Sequence, residues 1–320
     1  MMHDALENAR DWLATGESVA LATVVGTWGS SPVPAGGQMA IATDERFSGS
    51  VSGGCVEADV IVAAAEVRAS GLPRLLSFGV ADETAWRAGL PCGGNIEILL
   101  ERLAPGPDLP LLDRLLEARQ ARVPLAIRTS LADGAHTVLV ATPALAAGAP
   151  LVREGKDSIV HVVRPPPRIV VVGATHIAQH LAVLAAITGY EIVVVDPRPA
   201  FASDARWSGR TPVVDWPASA LAAIGLDVST AVVALSHAAD IDDEALLAAL
   251  ASPAIYVGAL GSTRNHARRS VRLAANGCPP EAIARIHAPI GLDIGARTPA
   301  EIALAILAEI TLAFNGPRQR

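Results

Sequence analysis

Two cysteines stand in mirrored glycine settings in the first half of the chain. Cys55 follows Gly53-Gly54, and Cys92 precedes Gly93-Gly94. Because glycines place no side chains beside them, both sulfurs can approach a ligand closely. Cys55 also follows a glycine-rich turn at the start of a predicted helix, where the helix dipole favours the thiolate. The pair therefore indicates soft-metal or sulfur chemistry with a bound cofactor, and inert packing of the sulfurs is the alternative.

Other uses of these cysteines lack partners in the sequence. A zinc site needs more ligands nearby than the chain supplies, and the nearest candidates are Glu57 and Glu97. A cysteine nucleophile needs a base, and no histidine lies between Cys55 and Cys92. Cys278, before two prolines, is interpreted as incidental. We therefore expect no catalytic residue and no metal held by the protein alone, with Cys55 and Cys92 close to the metal of a cofactor.

A loop in the second half has the layout of a dinucleotide-binding fingerprint. A predicted strand, 168–172, runs into Gly173-Ala174-Thr175-His176 and a helix, and the next strand ends at Asp196. Thr175 stands where a second glycine would admit a pyrophosphate. A helix start still attracts an anion, so the loop favours phosphate binding over ordinary NAD binding. His176 and His180 are interpreted as a capping or solvated pair, because no third metal ligand is in view.

Two further loops follow later strands, and the carboxyl ends of parallel strands share one sheet edge. The first contains Ser236 and His237, and the second is Gly261-Ser262-Thr263-Arg264. Backbone N–H groups, a hydroxyl and a guanidinium are a phosphate-binding combination. We therefore expect the loops at Gly173, Asp196 and Gly261 to line one cleft. Arg268 and Arg269 are interpreted as the solvated start of a helix.

The last loop of interest, 289–295, carries Asp293 between two glycines. Thr298 and Glu301 then form a capping box for the final helix. The pattern predicts a rigid loop that closes over the ligand. The complete set of candidate cofactor-binding residues is Cys55, Cys92, Gly173, Thr175, His176, Asp196, His237, Gly261, Ser262, Arg264 and Asp293.

A proline-rich segment, 164–168, separates two patterns of hydrophobic residues. Residues 1–166 alternate between short helices and strands that are typical of an α+β domain. Residues 167–320 show βαβ alternation, which predicts a Rossmann-like domain with a parallel sheet. The predicted fold class is therefore α/β with two domains.

Composition narrows the classes of function. The chain has 320 residues and a formal net charge of −7, with no basic cluster, which excludes nucleic acid as a partner. Its apolar stretches fall short of the ~20 residues that span a bilayer. The acidic amino terminus lacks the basic region of a secretory signal, and the 3 cysteines are too few for a disulfide framework. We expect a cytoplasmic protein without a membrane segment.

Six segments, in the same order along nearly the whole chain, resemble the XdhC/CoxI accessory proteins of xanthine dehydrogenase. They are residues 29–32, 49–57, 92–94, the Gly173 loop, 261–264 and 289–295. The resemblance implies a chaperone without catalysis of its own that binds molybdenum cofactor (molybdopterin) and protects it while its terminal sulfur is installed. It further implies insertion of the cofactor into xanthine dehydrogenase or a related molybdenum hydroxylase. A cysteine desulfurase partner and a homodimer are also implied.

Two alternatives remain open on the residues. An NAD(P)-dependent oxidoreductase would use Gly173 and Asp196, but Thr175 and the lack of an acid–base pair disfavour it. A thiol-dependent sulfurtransferase would use Cys55 or Cys92 as a persulfide carrier. Because the first part offers sulfur and the second offers anion loops, we expect both cysteines to face the cleft and share one ligand.

Overall fold

A computed structural model describes residues 4–28, 32–79, 94–142, 151–207 and 210–316. Contacts divide the chain into two compact units, Met1–Pro165 and Pro166–Gln319. The division falls within the proline-rich segment. Cys92 lies outside the described residues.

Unit 1 is an α+β structure built on two antiparallel sheets. Its described helices are α1 (Ala5–Ala14), α2 (Glu57–Ser70) and α3 (Leu109–Gln120). Its described strands are β1 (Val19–Trp28), β2 (Gln38–Ile41), β3 (Phe47–Gly49), β4 (Arg74–Phe78), β5 (Asn95–Leu103), β6 (Leu125–Ser130), β7 (His136–Val140), β8 (Leu151–Glu154) and β9 (Ser158–Val163). The first sheet has the order β3-β2-β1-β5-β4, and the second has the order β7-β6-β9-β8.

The central strand β1 is buried on both faces. Successive side chains of a strand point to opposite faces, so Ala20 and Ala22 pack with α2, while Val19 and Leu21 pack with α1 and α3. The α1 face also includes Leu125 of the second sheet. The continuous apolar run of β1 is therefore explained by helices on both sides.

A buried ionic cluster joins the two sheets of unit 1. The His136 imidazole of β7 lies 2.8 Å (Nε2 to Oε2) from Glu101 of β5 and 3.6 Å (Nδ1 to Oδ1) from Asp108. Burial alone would lower the pKa of His136, but Asp108 and Glu101 outweigh it and raise that pKa to about 10. His136 is therefore charged at neutral pH and links the sheets electrostatically.

We expect the stability of unit 1 to decline as the pH rises from about 6.5 to about 10. The unfolded histidine loses its proton near pH 6.5, whereas folded His136 keeps it until about pH 10, so its contribution is complete below this interval and lost across it. Urea unfolding measured across this pH range should show a smaller decline in the free energy of unfolding for His136→Gln than for the wild type. His161→Gln is the matched control, since burial and Arg164 lower the pKa of His161 to about 4. Equal declines in wild type and His136→Gln would contradict the assignment.

Unit 2 is a Rossmann-like domain with one parallel sheet. Its described helices are α4 (His176–Ile187), α5 (Asp204–Trp207), α6 (Pro217–Ile224), α7 (Ala239–Leu250), α8 (Thr263–Ala275), α9 (Pro280–Ile283) and α10 (Pro299–Asn315). Its described strands are β10 (Arg168–Val172), β11 (Glu191–Val195), β12 (Thr230–Ala234), β13 (Tyr256–Ala259) and β14 (Ile286–His287). The sheet order is β11-β10-β12-β13-β14, with parallel pairing throughout. The predicted fold class is confirmed.

Helices cover both faces of this sheet. Ile169 and Val171 of β10 belong to a core with α4 and α10, whereas Val170 and Val172 belong to a core with α6, α7 and α8. Strands buried on both faces read as continuous apolar runs, which explains why these strands were visible in the sequence. The predicted capping box of α10 is present, since Thr298 and Glu301 each bond the other's backbone.

Candidate functional site

The candidate site is the edge of the unit 2 sheet at which its strands end. Because β11, β10 and β12 run parallel, the residues that follow them lie at one edge. In the sheet, β11 lies on one side of β10, and β12 lies on the other side. The direction in which successive strands are added therefore reverses between β10 and β12. Ligands of open α/β sheets bind at such a switch point. Gly173 follows β10 at this point, and Ser236 lies just beyond β12.

Gly173 brings the first two loops of this edge into direct contact. Its φ of 107° lies in the left-handed region. A Cβ built on Gly173 would stand 2.4 Å from the backbone nitrogen of Ser236, far inside contact distance. A side chain is therefore excluded here by both conformation and space.

A buried polar network continues from Ser236 to the loop that follows β13. Ser236 donates to Asp242 Oδ1 through its backbone nitrogen (3.1 Å) and its hydroxyl (2.6 Å). Asp242 Oδ2 lies 3.7 Å from Nη2 of Arg269, which donates to the Leu260 carbonyl at 2.8 Å. Burial raises the pKa of Asp242 against the opposing effects of Ser236 and Arg269. Through Asp242 of α7 and Arg269 of α8, the network fixes the segments that follow β12 and β13 relative to each other.

The burial of Arg269 corrects the sequence interpretation. Arg269 is 5% exposed, so it is not part of a solvated helix start. Its Nε and Nη1 atoms have no hydrogen-bond partner among the described residues. The sequence did contain a signal: Arg269 lies four positions before the apolar Leu273, so both fall on one face of the helix. In the structure both are buried, which makes this the inner face of α8. Arg264 and Arg268, in contrast, are exposed.

Asp196 is buried at the end of β11, and its carboxylate is already engaged. Oδ1 accepts from the backbone nitrogen (3.0 Å) and Nε (2.8 Å) of Arg198, and Oδ2 accepts from Arg198 Nη2 (2.8 Å) and the Ala174 nitrogen (2.7 Å). Burial would raise the pKa of Asp196, but these bonds outweigh it and lower that pKa. Asp196 therefore ties the end of β11 to the Gly173 loop.

Two helices begin at this edge with polar caps. Thr175 is the N-cap of α4 and accepts from the Ala178 nitrogen, and Ser262 is the N-cap of α8 and accepts from the Asn265 nitrogen. Gly261, with a φ of 129°, makes the turn into α8. Free N–H groups and the positive end of the dipole at each start favour an anion.

Three predicted residues contribute less directly to this network. His176 is exposed and its ring centroid lies 4.7 Å from that of His180. No group of three metal-ligating side chains occurs in the described residues. His237 is exposed with a φ of 62°, which is unusual for a residue other than glycine. Asp293 is exposed and accepts from the Gly295 nitrogen of its own loop (3.4 Å).

The loop that contains Asp293 is anchored to the body of unit 2. Glu309 of α10 accepts from the Gly291 nitrogen (2.6 Å) and the Tyr256 hydroxyl (2.6 Å) through Oε2, and its Oε1 lies 2.9 Å from His287 Nδ1. Tyr256 and His287 stack with centroids 4.5 Å apart. These contacts support the predicted rigidity of the loop start, while closure over a ligand stays a prediction.

In unit 1 one carboxylate organises the cysteine loop. Glu57, which is 8% exposed, accepts bonds from the Ser50 and Ser52 hydroxyls. It also accepts bonds from the backbone nitrogens of Val51, Ser52, Gly53, Gly54 and Val56. Although burial opposes ionisation, the bonds from Ser50 and Ser52 lower the pKa of Glu57 to about 2. These donors surround the chain's own carboxylate, so the loop is organised by a residue of unit 1.

Cys55 is held within the same loop. Its backbone nitrogen donates to Ser52 Oγ at 2.9 Å, and its partly buried side chain packs against the core beside α2. The other carboxylate near the cysteines, Glu97, pairs with Arg153 at 2.5 Å. Both acidic residues considered as zinc ligands are therefore already engaged by protein groups. The approach of Cys55 and Cys92 to a cofactor stays a prediction.

None of the helices within the described ranges is long and apolar enough to cross a membrane.

Family comparison covers both units. Residues 169–310 match the XdhC Rossmann domain, and residues 12–79 match the XdhC and CoxI family. A crystal structure described as a xanthine dehydrogenase from Bacillus halodurans matches with a TM-score of 0.75 and 25% identity, covering 99% of this chain and 97% of that chain.

Two curated relatives are similar over most of their length. The molybdenum cofactor insertion chaperone PaoD of Escherichia coli (strain K12) is 34% identical over 309 residues, which is 95% of this chain and 86% of PaoD. A protein of Bacillus subtilis (strain 168), named as a probable subunit of xanthine dehydrogenase, is 27% identical over 316 residues, or 92% of each chain. The chain therefore belongs to the XdhC and CoxI family.

Proposed function

We propose that the protein binds molybdenum cofactor of the molybdopterin type, protects it and inserts it into xanthine dehydrogenase or a related molybdenum hydroxylase. The relative PaoD is named as a molybdenum cofactor insertion chaperone, and it is similar along nearly the whole chain. In this role the protein is a chaperone without a reaction of its own. Its catalytic partner is the molybdoenzyme that receives the cofactor.

The observation that carries the proposal is the strand-end edge of unit 2. Molybdopterin has a phosphate, and this edge offers two polar-capped helix starts, at Thr175 and Ser262. Gly261 leaves the turn into α8 without a side chain, and the exposed Arg264 in the first turn of α8 supplies a guanidinium for the same anion. We infer that Gly173, His176, His237 and Asp293 line or flank the bound cofactor.

The cysteines have the sulfur-side role in this proposal. Cys55 and Cys92 are the soft groups of the chain suited to a molybdenum centre with oxo and sulfido ligands. When bound, the cofactor supplies the metal, and the protein supplies the surroundings that shield it. Transfer of sulfur through a persulfide on Cys55 or Cys92 is the alternative use of the same residues.

Ordinary NAD(P)-dependent oxidation is the less favoured function. The acidic residue that would bind a ribose is Asp196, and its two oxygens each already accept two hydrogen bonds. Thr175 also carries a side chain where a second glycine would admit the pyrophosphate. Both features argue against a nicotinamide dinucleotide as the ligand.

The proposal extends to partners and location. A cysteine desulfurase would install the terminal sulfur while the cofactor is held, and the protein would act as a homodimer in the cytoplasm. Exposed apolar side chains on α4 and α10, among them Ile187 at 74% and Leu304 at 50%, support association with a second chain. Size-exclusion chromatography with light scattering tests the homodimer.

The cofactor role is tested by measuring what the protein carries. We expect protein purified without oxygen to contain molybdenum and pterin, but no nicotinamide, when metal analysis and mass spectrometry are applied. Arg264→Ala should weaken cofactor binding by about 1 to 3 kcal/mol, since it removes a charge-assisted partner. Arg268→Ala is the matched control, because Arg268 is exposed on the same helix but farther from its start. Nicotinamide without pterin, or equal affinities of the two variants, would contradict the proposal.

A further inference from the structure

The end of β11 has an unusual arrangement of charge for a dinucleotide-type fold. In such folds an acidic residue at this position binds the 2′-hydroxyl of a ribose, whereas an arginine nearby accommodates a 2′-phosphate. Here Asp196 and Arg198 bind each other through two side-chain hydrogen bonds, from Nε and Nη2, each 2.8 Å long. The acid and the cation of the two specificities are therefore combined in one pair.

The carboxylate of Asp196 has no capacity left for a diol. Each oxygen accepts two hydrogen bonds, from Ala174 and Arg198, and Asp196 is 0% exposed. A ribose could bind only by displacing one of these donors. Breaking a buried ion pair with two hydrogen bonds costs more free energy than two hydrogen bonds from neutral ribose hydroxyls would contribute.

Arg198, in contrast, keeps binding capacity. Its side chain is 32% exposed, and its guanidinium carbon lies 3.9 Å from the centroid of the Phe201 ring. The ring and the carboxylate hold the guanidinium in one orientation. No hydrogen bond from Nη1 to another described residue is present, so this nitrogen retains donors for a ligand. Asp196 is the main group that raises the pKa of Arg198, with smaller effects from Asp242 and Asp240 at the start of α7, so the guanidinium stays charged.

We propose that the end of β11 binds a phosphate group rather than a ribose diol, with Arg198 as the specificity-determining residue. Asp196 and Phe201 act as positioning residues that orient its planar fork. This inference goes beyond the proposed function, because the phosphate considered there is assigned to the helix starts at Thr175 and Ser262, whereas Arg198 would bind a second phosphate at the end of β11. It rests on the Asp196–Arg198–Phe201 geometry and needs no molybdenum in the protein to be tested.

Two nucleotides that differ by one phosphate provide the test. Adenosine 2′,5′-bisphosphate and adenosine 5′-monophosphate share a 5′-phosphate for the helix starts, and only the first has a phosphate for Arg198. In isothermal titration of the full chain, we expect the bisphosphate to bind about tenfold more tightly. Equal affinities, or failure of both nucleotides to bind at millimolar concentration, would overturn the proposal.

Variants separate specificity from folding. Arg198→Ala should abolish the preference for the bisphosphate and leave the monophosphate bound at least as tightly, because Asp196 is then free to accept a diol. Arg198→Lys keeps the charge without the fork and should retain a reduced preference. Arg206→Gln is the matched control, since Arg206 approaches the same Phe201 ring at 5.3 Å and has no contact with Asp196 among the described bonds. Thermal melts verify folding, and an undiminished preference in Arg198→Ala or Arg198→Lys would refute the assignment.

The outcome is distinguishable from that of the cofactor proposal. A protein that carries no molybdenum or pterin but prefers the bisphosphate in an Arg198-dependent way would refute the proposed function and keep this inference. A protein that carries the cofactor and shows no preference would do the reverse.

Discussion

Gly173→Ala is expected to destabilise unit 2 by about 3 kcal/mol or more, the range reached when a substitution forces backbone apart. The new Cβ would lie 2.4 Å from the Ser236 nitrogen and 2.7 Å from the Leu235 carbonyl carbon, both backbone atoms of the neighbouring loop. The alanine at this position would also have to adopt a φ of 107°, which is strained for a residue with a side chain. Urea unfolding followed by circular dichroism measures the loss.

Gly189→Ala separates strain from collision. Gly189 also has a positive φ, 80°, but nothing lies within 4 Å of its added Cβ. We expect a loss of about 1 kcal/mol there, the cost of conformation alone. Similar small losses in both variants would show that the two loops can move apart, and would remove the close approach from the account of the site.

Glu57→Gln is expected to destabilise unit 1 by about 3 kcal/mol, because buried donors that lose their acceptor are costly. The glutamine amide has only one accepting oxygen in place of the two carboxylate oxygens, and its NH2 group is a donor that would face the N–H groups of the loop. Glu57 stays ionised to about pH 2, so its contribution is present above pH 4.5 and lost as the pH falls to 2. Chemical unfolding at neutral pH and in acid measures both effects.

Glu66→Gln is the matched control for Glu57→Gln. Glu66 lies on the same helix with its side chain 69% exposed and paired with Arg74. Exposed pairs contribute little, so we expect a change within about 0.5 kcal/mol. If both variants lose the same small amount, the loop does not depend on its carboxylate.

The strands of the parallel sheet were predictable because each is an apolar run between helix-length segments. The strand predicted to lead to Asp196 is observed at Glu191–Val195, directly before that residue. The two-residue strand β14 was not predicted, since Ile286 and His287 are too few to show a period. The four-residue β8 was likewise missed, because three of its residues are exposed and its pairing with β9 depends on distant sequence.

The site was predictable as a set of loops but not as a network. Glycines, N-cap residues and strand ends are local signals, and they identified Gly173 and Ser262. The partners of Asp196 and Arg269 depend on side-chain geometry after folding, which spacing alone does not reveal. Glu57 had a local signal that was overlooked, because serines and glycines just before an acid in a first helical turn favour bonds to that acid.

The Ser236–Asp242–Arg269 network makes the energetics of its members collective. Removing Arg269 leaves the Asp242 carboxylate buried without its cation, and removing Asp242 leaves the Arg269 guanidinium buried without its anion. The second loss therefore relieves part of the penalty of the first. In a double-mutant cycle the pair should cost less than the sum of its single replacements. Evolution can thus exchange Asp242 and Arg269 together for apolar residues more easily than it can change either one alone.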